Sequence, residues 1–476
     1  MQGAVGPPLA GIAGLHDGIL SDSVRTAPRT HPKEVLLHTF NAEGSAALAG
    51  PPWLRDRRAA GLSAVESSAL PSESEEVWRY TPIDDLDLGE FVPVTSSPGE
   101  LPEAARIVTE MISDSLGALS GQVVVHNGFP LSFGPQGKGG AAVGGTGDVP
   151  GAQSMVGCVQ VGGDALVRLN DAFAPDAVLV DVPAGVEVPD PILIVHWCDG
   201  GRAGSTGSAV FPRTVVRLGE RARAAVVEVF VGPTGSVRSL VVPVTELSAG
   251  DEASLSYVSL QILNHAAWFV ARLAARGGPD SVVRTFTVGL GGDYDRVRAD
   301  VSVDGRGARS EILSAYLGSG AQVHDIRTLQ DHLAPRTNSE LLCQGAVAGT
   351  SRSVYSGLIR VHRGAVRSDA RQTNHNLVLD EGAHADSVPN LDILENDVKC
   401  SHASTVGPID EDQRYYIESR GVTPDVAEGL IVRGFFDAII DRGPIPAVTP
   451  LLKREVHARL DVALGERRVI REEADV

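Results

Sequence analysis

From about Asp176 to about position 400 the chain repeats one small unit, and that run limits its fold more than any other feature. Short apolar-alternating segments such as Ala177–Val182, Ile192–His196, Thr214–Leu218, Ala225–Val231, Leu240–Glu246 and Leu255–Ile262 are divided by Gly/Asp turns. The turn markers then become nearly regular. Gly277, Gly291 and Gly305 are fourteen residues apart, and Gly318 and Gly320 bracket the next position. Between them lie period-2 runs, Phe286/Val288/Leu290 and Val297/Ala299/Val301/Val303. Two architectures accept such a ladder. One is an antiparallel sandwich or jelly roll, with turns every ~8–12 residues. The other is a β-solenoid, in which stacked coils bury a continuous Val/Ile/Leu interior. The length of the run and its beat exceed what one sandwich needs, but on residues alone both stay open.

Composition agrees with many short strands. Of 476 residues 43% are hydrophobic, enough for two or three domains, while aromatics are 5% and Gly (53) and Pro (29) are plentiful. The formal charge of −19 argues against nucleic acid and an anionic membrane surface, which need clustered Lys and Arg. Cysteines 158, 198, 343 and 400 form no CxxC pair, so reduced thiols in the cytoplasm are expected. The first residues lack the basic and apolar regions of a signal peptide, and nowhere do ~18 apolar residues follow one another.

Four regions are expected: a disordered segment 1–30, a mostly helical domain 31–170, a β core 171–400 and a helical domain 401–476. Helical signals fall in Glu34–Glu66 and Leu101–Leu119, and Gly139–Gly151 reads as a floppy glycine-rich loop. After Gly407 the period turns helical. Asp410 with Gln413 is a capping pair, and Thr423-Pro424 starts a second helix with Val426, Leu430, Ile431, Gly434, Phe435 and Ala438 on one apolar face. Leu451, Leu452, Val456 and Leu460 mark a last helix.

Several chemistries are excluded. Gly134–Gly139 has the wrong spacing for a P-loop and no following Ser/Thr, so the chain should not hydrolyse ATP. There is no GxSxG or HExxH, and Gly289–Gly292 is a turn between strands rather than a dinucleotide loop. Asn374, His375 and Asn376 lie in a polar run from Gln372 to Leu377 that suits an amide ladder inside a solenoid. His324 with Asp325, and His332 after Asp331, read as His–carboxylate pairs without a common site. The stretch from Asp397 to Gly407 places Cys400 and His402 two residues apart, so an extended backbone puts both on one side. A thiol beside an imidazole suits a soft metal or iron–sulfur chemistry, while the plainer reading is structural for both. Asp392, Glu395 and Asp397 could add hard ligands or merely solvate a strand.

Four ordered motifs resemble the SufB/SufD family of the SUF iron–sulfur assembly system. They are Leu70-Pro71 through Glu76-Val77-Trp78-Arg79-Tyr80-Thr81-Pro82, then Gly357-Leu358-Ile359, then Gln372 through Leu377, and finally Asp397 through Gly407 with Tyr415-Tyr416-Ile417 and Ser419-Arg420-Gly421. Lys399-Cys400-Ser401-His402 is similar to the SufD form, departing from it at Ala403-Ser404, where Gly-Ala is usual. The resemblance implies a right-handed parallel β-helix between N- and C-terminal helical regions, and no enzyme activity. It implies a complex with a SufB subunit through the β-helix and with the ATPase SufC through the C-terminal helices, where Pro424, Val426, Leu430, Ile431 and Phe435 are the docking candidates. It implies a part in iron acquisition, with Cys400 and His402 as metal and cluster ligands at the SufB boundary. The iron–sulfur cluster would be transient and shared with SufB, with none held by the isolated chain. Rival expectations are a β-helix carbohydrate-active enzyme, disfavoured by the scarce aromatics, a purely structural adaptor that recruits the ATPase, and a SufB-like homodimer.

Overall fold

A computed structural model describes residues 39–134, 139–200, 207–235 and 238–474. The segment 1–30 expected to be disordered lies outside them. Eleven long strands form the regular part: β1 (Ser254–Ile262), β2 (Ala267–Gly277), β3 (Val282–Gly289), β4 (Tyr294–Val303), β5 (Arg309–Gly318), β6 (Val323–His332), β7 (Asn338–Val347), β8 (Arg352–Val361), β9 (Asp369–Val378), β10 (His384–Ile393) and β11 (Lys399–Gly407). Each strand from β1 to β9 pairs in parallel with the strand two places on, so odd strands build one sheet and even strands another. The fold is therefore a β-solenoid of stacked two-strand coils. Ser254, Val282, Arg309, Asn338, Asp369 and Lys399 fall in one column, one coil apart.

The fourteen-residue beat is half of that repeat, one marker per corner. At Gly291 and Gly305 a Cβ would collide with the backbone of the preceding coil, at Leu263 and at Pro279. Glycine is fixed there by close approach of two chains. The two alternating runs face different ways. Val297, Ala299 and Val301 point into the solenoid core with Leu247, Leu273 and Ile326. Phe286, Val288 and Leu290 point outward, beneath the C-terminal helices. The odd sheet is thus buried on both faces, as a parallel sheet requires.

The sheets extend on the N-terminal side through Arg223–Val231, Ile192–Trp197 and Gly121–His126, and through Val244–Ala249, Arg213–Leu218 and Val178–Val182. Each then closes with one short antiparallel strand. Phe129–Phe133 covers Gly121–His126, and Ala142–Gly144 covers Val178–Val182. The Gly139–Gly151 stretch is therefore not simply a floppy loop. It carries a strand, and Asp148 Oδ2 and Asp176 Oδ1 accept from the backbone N–H groups of Gly145 and Thr146. Glycine content alone concealed that pairing.

Four helices bear on the site: α1 (Glu103–Leu116), α2 (Glu411–Glu418), α3 (Pro424–Ile440) and α4 (Thr449–Ala474). Asp410 caps α2, accepting from the N–H groups of Asp412 and Gln413. Ala105, Val108 and Ile112 of α1, Val432, Phe436, Ile439 and Ile440 of α3, and Leu451, Leu452, Val456 and Leu460 of α4 share one cluster with the odd sheet. Each fully buried Leu, Ile or Phe there contributes about 1.5–3 kcal/mol. No helix among the described residues is long and apolar enough to cross a membrane.

Candidate functional site

Strand β11 is the last of the odd sheet and β10 the last of the even sheet, and among the described residues neither has a neighbour on its outer edge. The register sets the direction of every β11 side chain. Cys400 lies over Ala370, His402 over Gln372, Ser404 over Asn374 and Val406 over Asn376. Those four β9 residues are all buried, so Cys400, His402, Ser404 and Val406 continue columns that run down the solenoid interior. Among the described residues no further coil covers them. His402 is exposed and Cys400 half-buried. The expectation that the two share one side of an extended strand is met.

Cys400 packs its inner side on Ile359, Val361, Ala365 and Ala370. Burial, then the negative charge of Asp369, push its thiol above the usual range, against the Ala370 backbone N–H, which lowers it. It is protonated near neutrality until a cation offsets those two effects. Beyond His402 a polar chain enters the solenoid. Ser404 Oγ donates to Ser387 Oγ at 2.6 Å, Ser387 to Asn374 Oδ1 at 2.8 Å, and Asn376 Nδ2 to the same oxygen at 2.7 Å. The Tyr316 hydroxyl donates to Asn376. The expected interior use of Asn374 and Asn376 is what the fold contains, while His375, between them, faces outward and is half-buried. Around the raw end Leu391, Ile393, Leu394 and Val406 are exposed apolar side chains, a patch of the kind that marks an interaction surface.

Neither expected His–carboxylate pair forms as read. His324 Nδ1 bonds Asp295, one coil away, at 3.0 Å, whereas Asp325 receives Arg296, Arg327 and Tyr294. His332 bonds Thr337 and Ser339, and Asp331 bonds His362. Consecutive residues on a strand face opposite sides, so neither adjacent pair could close. The acidic trio does not converge on Cys400. Asp392 pairs with Arg360, Glu395 accepts from the Gly364 N–H and Asp397 pairs with Arg367. Among the described residues no three His, Cys, Asp or Glu side chains are grouped as a metal centre. The raw end supplies one soft sulfur and one imidazole nitrogen, half of a tetrahedral set.

On α3 one side packs inward, through Ala427, Val432 and Phe436. Pro424, Val426 and Leu430 are exposed, and Ile431 and Phe435 half-buried. Phe435 edges a groove of about 230 Å³ with His375, Thr405 and Pro408. Tyr415 and Tyr416 of α2 are also exposed. The outer side of α3 is as apolar as its inner side, which a lone surface helix would not be.

The Glu76–Pro82 motif clasps the outside of the even sheet. Trp78 is fully buried under the Arg296 guanidinium, 3.7 Å from ring centroid to charge. Arg296 and Arg327 donate to the carbonyls of Val77 and Arg79, both at 2.7 Å. The sequence carries no sign of this arginine clasp, because its partners are more than 200 residues apart. The interior place of Gln372 agrees with the expected amide run, since it shares a strand face with Asn374 and Asn376.

Comparison with known proteins agrees with this geometry. Residues 201–435 match the family described as SUF system FeS cluster assembly, SufBD core domain. The iron–sulfur cluster assembly protein SufD of Escherichia coli is 28% identical over 429 residues, 89% of this chain and 94% of that protein. An iron–sulfur cluster assembly SufBD family protein of Mycobacterium bovis is 30% identical over 406 residues, 84% and 91% of the two chains. SufD of Bacillus subtilis is 27% identical over 292 residues, 61% and 65%.

Proposed function

This chain belongs to the SufBD family of SUF iron–sulfur cluster assembly, and from that membership we propose that it is a SufD-like scaffold subunit whose raw solenoid end meets a SufB-like partner. The observation that carries the reading is the uncovered last coil, where Cys400 and His402 continue interior columns on an unpaired edge strand. An iron–sulfur cluster is cargo here. Cys400 and His402 bring a sulfur and a nitrogen to it, and the facing subunit brings the remaining ligands. Both solenoids then extend through their raw edges, and parting of the boundary releases the product. Iron acquisition belongs to the same boundary, since a half-complete ligand set takes up metal only when the partner completes it.

The outer side of α3 recruits the ATPase of the system, with Pro424, Val426, Leu430, Ile431 and Phe435 as the contact. Its exposed apolar residues support this, as does the lack of a P-loop in the sequence. Four unpaired cysteines suit a reducing cytoplasm.

The test is His402→Ala and Cys400→Ser in a complex reconstituted anaerobically with SufB- and SufC-like subunits. Visible absorption of the new cluster should fall at least tenfold for His402→Ala while the complex stays whole. Unchanged cluster formation in an intact complex would replace this reading with that of a purely structural adaptor.

A further inference from the structure

Gln372 is a buried polar member of the central motif whose amide is left unpaired. Its side chain is buried, at 1% exposure, yet neither Oε1 nor Nε2 has a hydrogen-bond partner. A buried amide left unpaired is costly, and its neighbours Asn374 and Asn376 are both bonded. The surroundings are shaped to keep it. Gly357 faces it across the interior, and a Cβ there would collide with the Gln372 amide and the Tyr355 hydroxyl. Below Gln372 in its column stands Leu341, with nothing to bond, and above it stands His402. Parallel register partners lie about 4.8 Å apart with side chains in the same direction. The imidazole is the polar group that the column places next.

We infer that Gln372 is a positioning residue for His402, its Oε1 accepting the N–H of the inward ring nitrogen. An imidazole with one nitrogen held as a donor has its other nitrogen free as a lone pair. The outward nitrogen is then the metal-facing one, aimed across the raw end toward a partner. Gly357 supplies the room that the amide occupies. The inference rests on His402 being a cluster ligand, and it adds how the ring is oriented before any metal arrives.

The experiment reads the ring itself in the full-length chain without metal. With ¹⁵N-histidine labelling, at a pH where imidazoles are neutral, the nitrogen shifts of His402 report its tautomer, and a His402→Ala spectrum assigns the signals. The wild-type ring should depart roughly fivefold from the free-histidine tautomer ratio, the bias expected of one net hydrogen bond. Gln372→Met should return the ring to the free-histidine ratio, and Gln372→Glu, which keeps an acceptor, should retain the bias. Melting temperature gives a second readout. Gln372→Met should change it little, because the bond lost is to an exposed ring while a buried polar group leaves the interior, whereas an amide serving only the fold would make it drop. A wild-type His402 at the free-histidine ratio overturns the inference, even if the variants fail to fold. So does a bias that survives Gln372→Met. The cluster assay on His402→Ala tests the ligand role separately, so failure of one idea is distinguishable from failure of the other.

Discussion

At the scale of single residues, the solenoid determines which neighbours matter. Cys400 and His402 were legible as a pair, because two residues along a strand is one step along one face. His324 with Asp325 and His332 after Asp331 were misread for the same geometric reason, since one residue along is the opposite face. Their real partners, Asp295 one coil earlier, and Thr337 with Ser339 around a corner, cannot be seen without the coil length. His332 gives a prediction at this scale. Burial holds its ring down at about 4 from 6.5, against the raising influence of Asp369. The unfolded chain therefore takes up a proton at this site as pH falls below 6.5, and the folded chain only near 4. Stability conferred by the neutral ring is present above 6.5 and drains away between 6.5 and about 4, by as much as ~3 kcal/mol. Denaturant unfolding of His332→Gln should show a correspondingly flatter dependence over that window. An unchanged slope would locate the acid sensitivity elsewhere. A second residue prediction concerns the clasp. Arg296→Ala uncovers Trp78 and leaves the buried Asp325 carboxylate short of a partner, so a loss of about 3–5 kcal/mol is expected in thermal unfolding.

At the scale of elements, α3 separates two roles by face. Phe436 lies in the shared core, and Phe436→Ala should cost about 3–5 kcal/mol of stability. Leu430 is on the outer face, and Leu430→Asp should change stability by no more than about 0.5 kcal/mol while sharply weakening capture of a SufC-like ATPase. Calorimetry with co-purification checks both, and an ATPase still bound to Leu430→Asp would move the contact off this face. The start of α3 was legible because Thr423-Pro424 is a strong local signal. Which of its apolar sides faces inward was not. Val426, Leu430, Ile431 and Phe435 form a stripe as regular as Ala427, Val432, Phe436 and Ile440, and only the docked sheet tells them apart. Ala142–Gly144 escaped notice because a three-residue strand among glycines has almost no periodicity to detect.

At the scale of the whole molecule, the interior changes character along its length. Early coils are filled mainly by Val, Leu, Phe and Ala around one closed polar cluster, Glu228 with His196, Thr214, Thr245 and Tyr257, while the last ones hold Gln372, Asn374, Asn376 and a largely exposed β11. Less apolar burial means a lower free energy of local opening. Hydrogen exchange of the isolated chain should therefore be fastest across 384–407 and slowest across 254–303, and a SufB-like partner should protect the former. Equal protection throughout would contradict a raw, partner-dependent end. The glycine beat left the stacked architecture as one of two open readings, and it hid the two-sheet cross-section, because a marker at every corner cannot say how many corners make a turn.

Short antiparallel caps finish one end of the stack, and among the described residues none finishes the other. Such an object has a valency of one. One partner with a matching bare end would leave no site for growth. Without Phe129–Phe133 and Ala142–Gly144 the same repeat would be free to run on into a fibre.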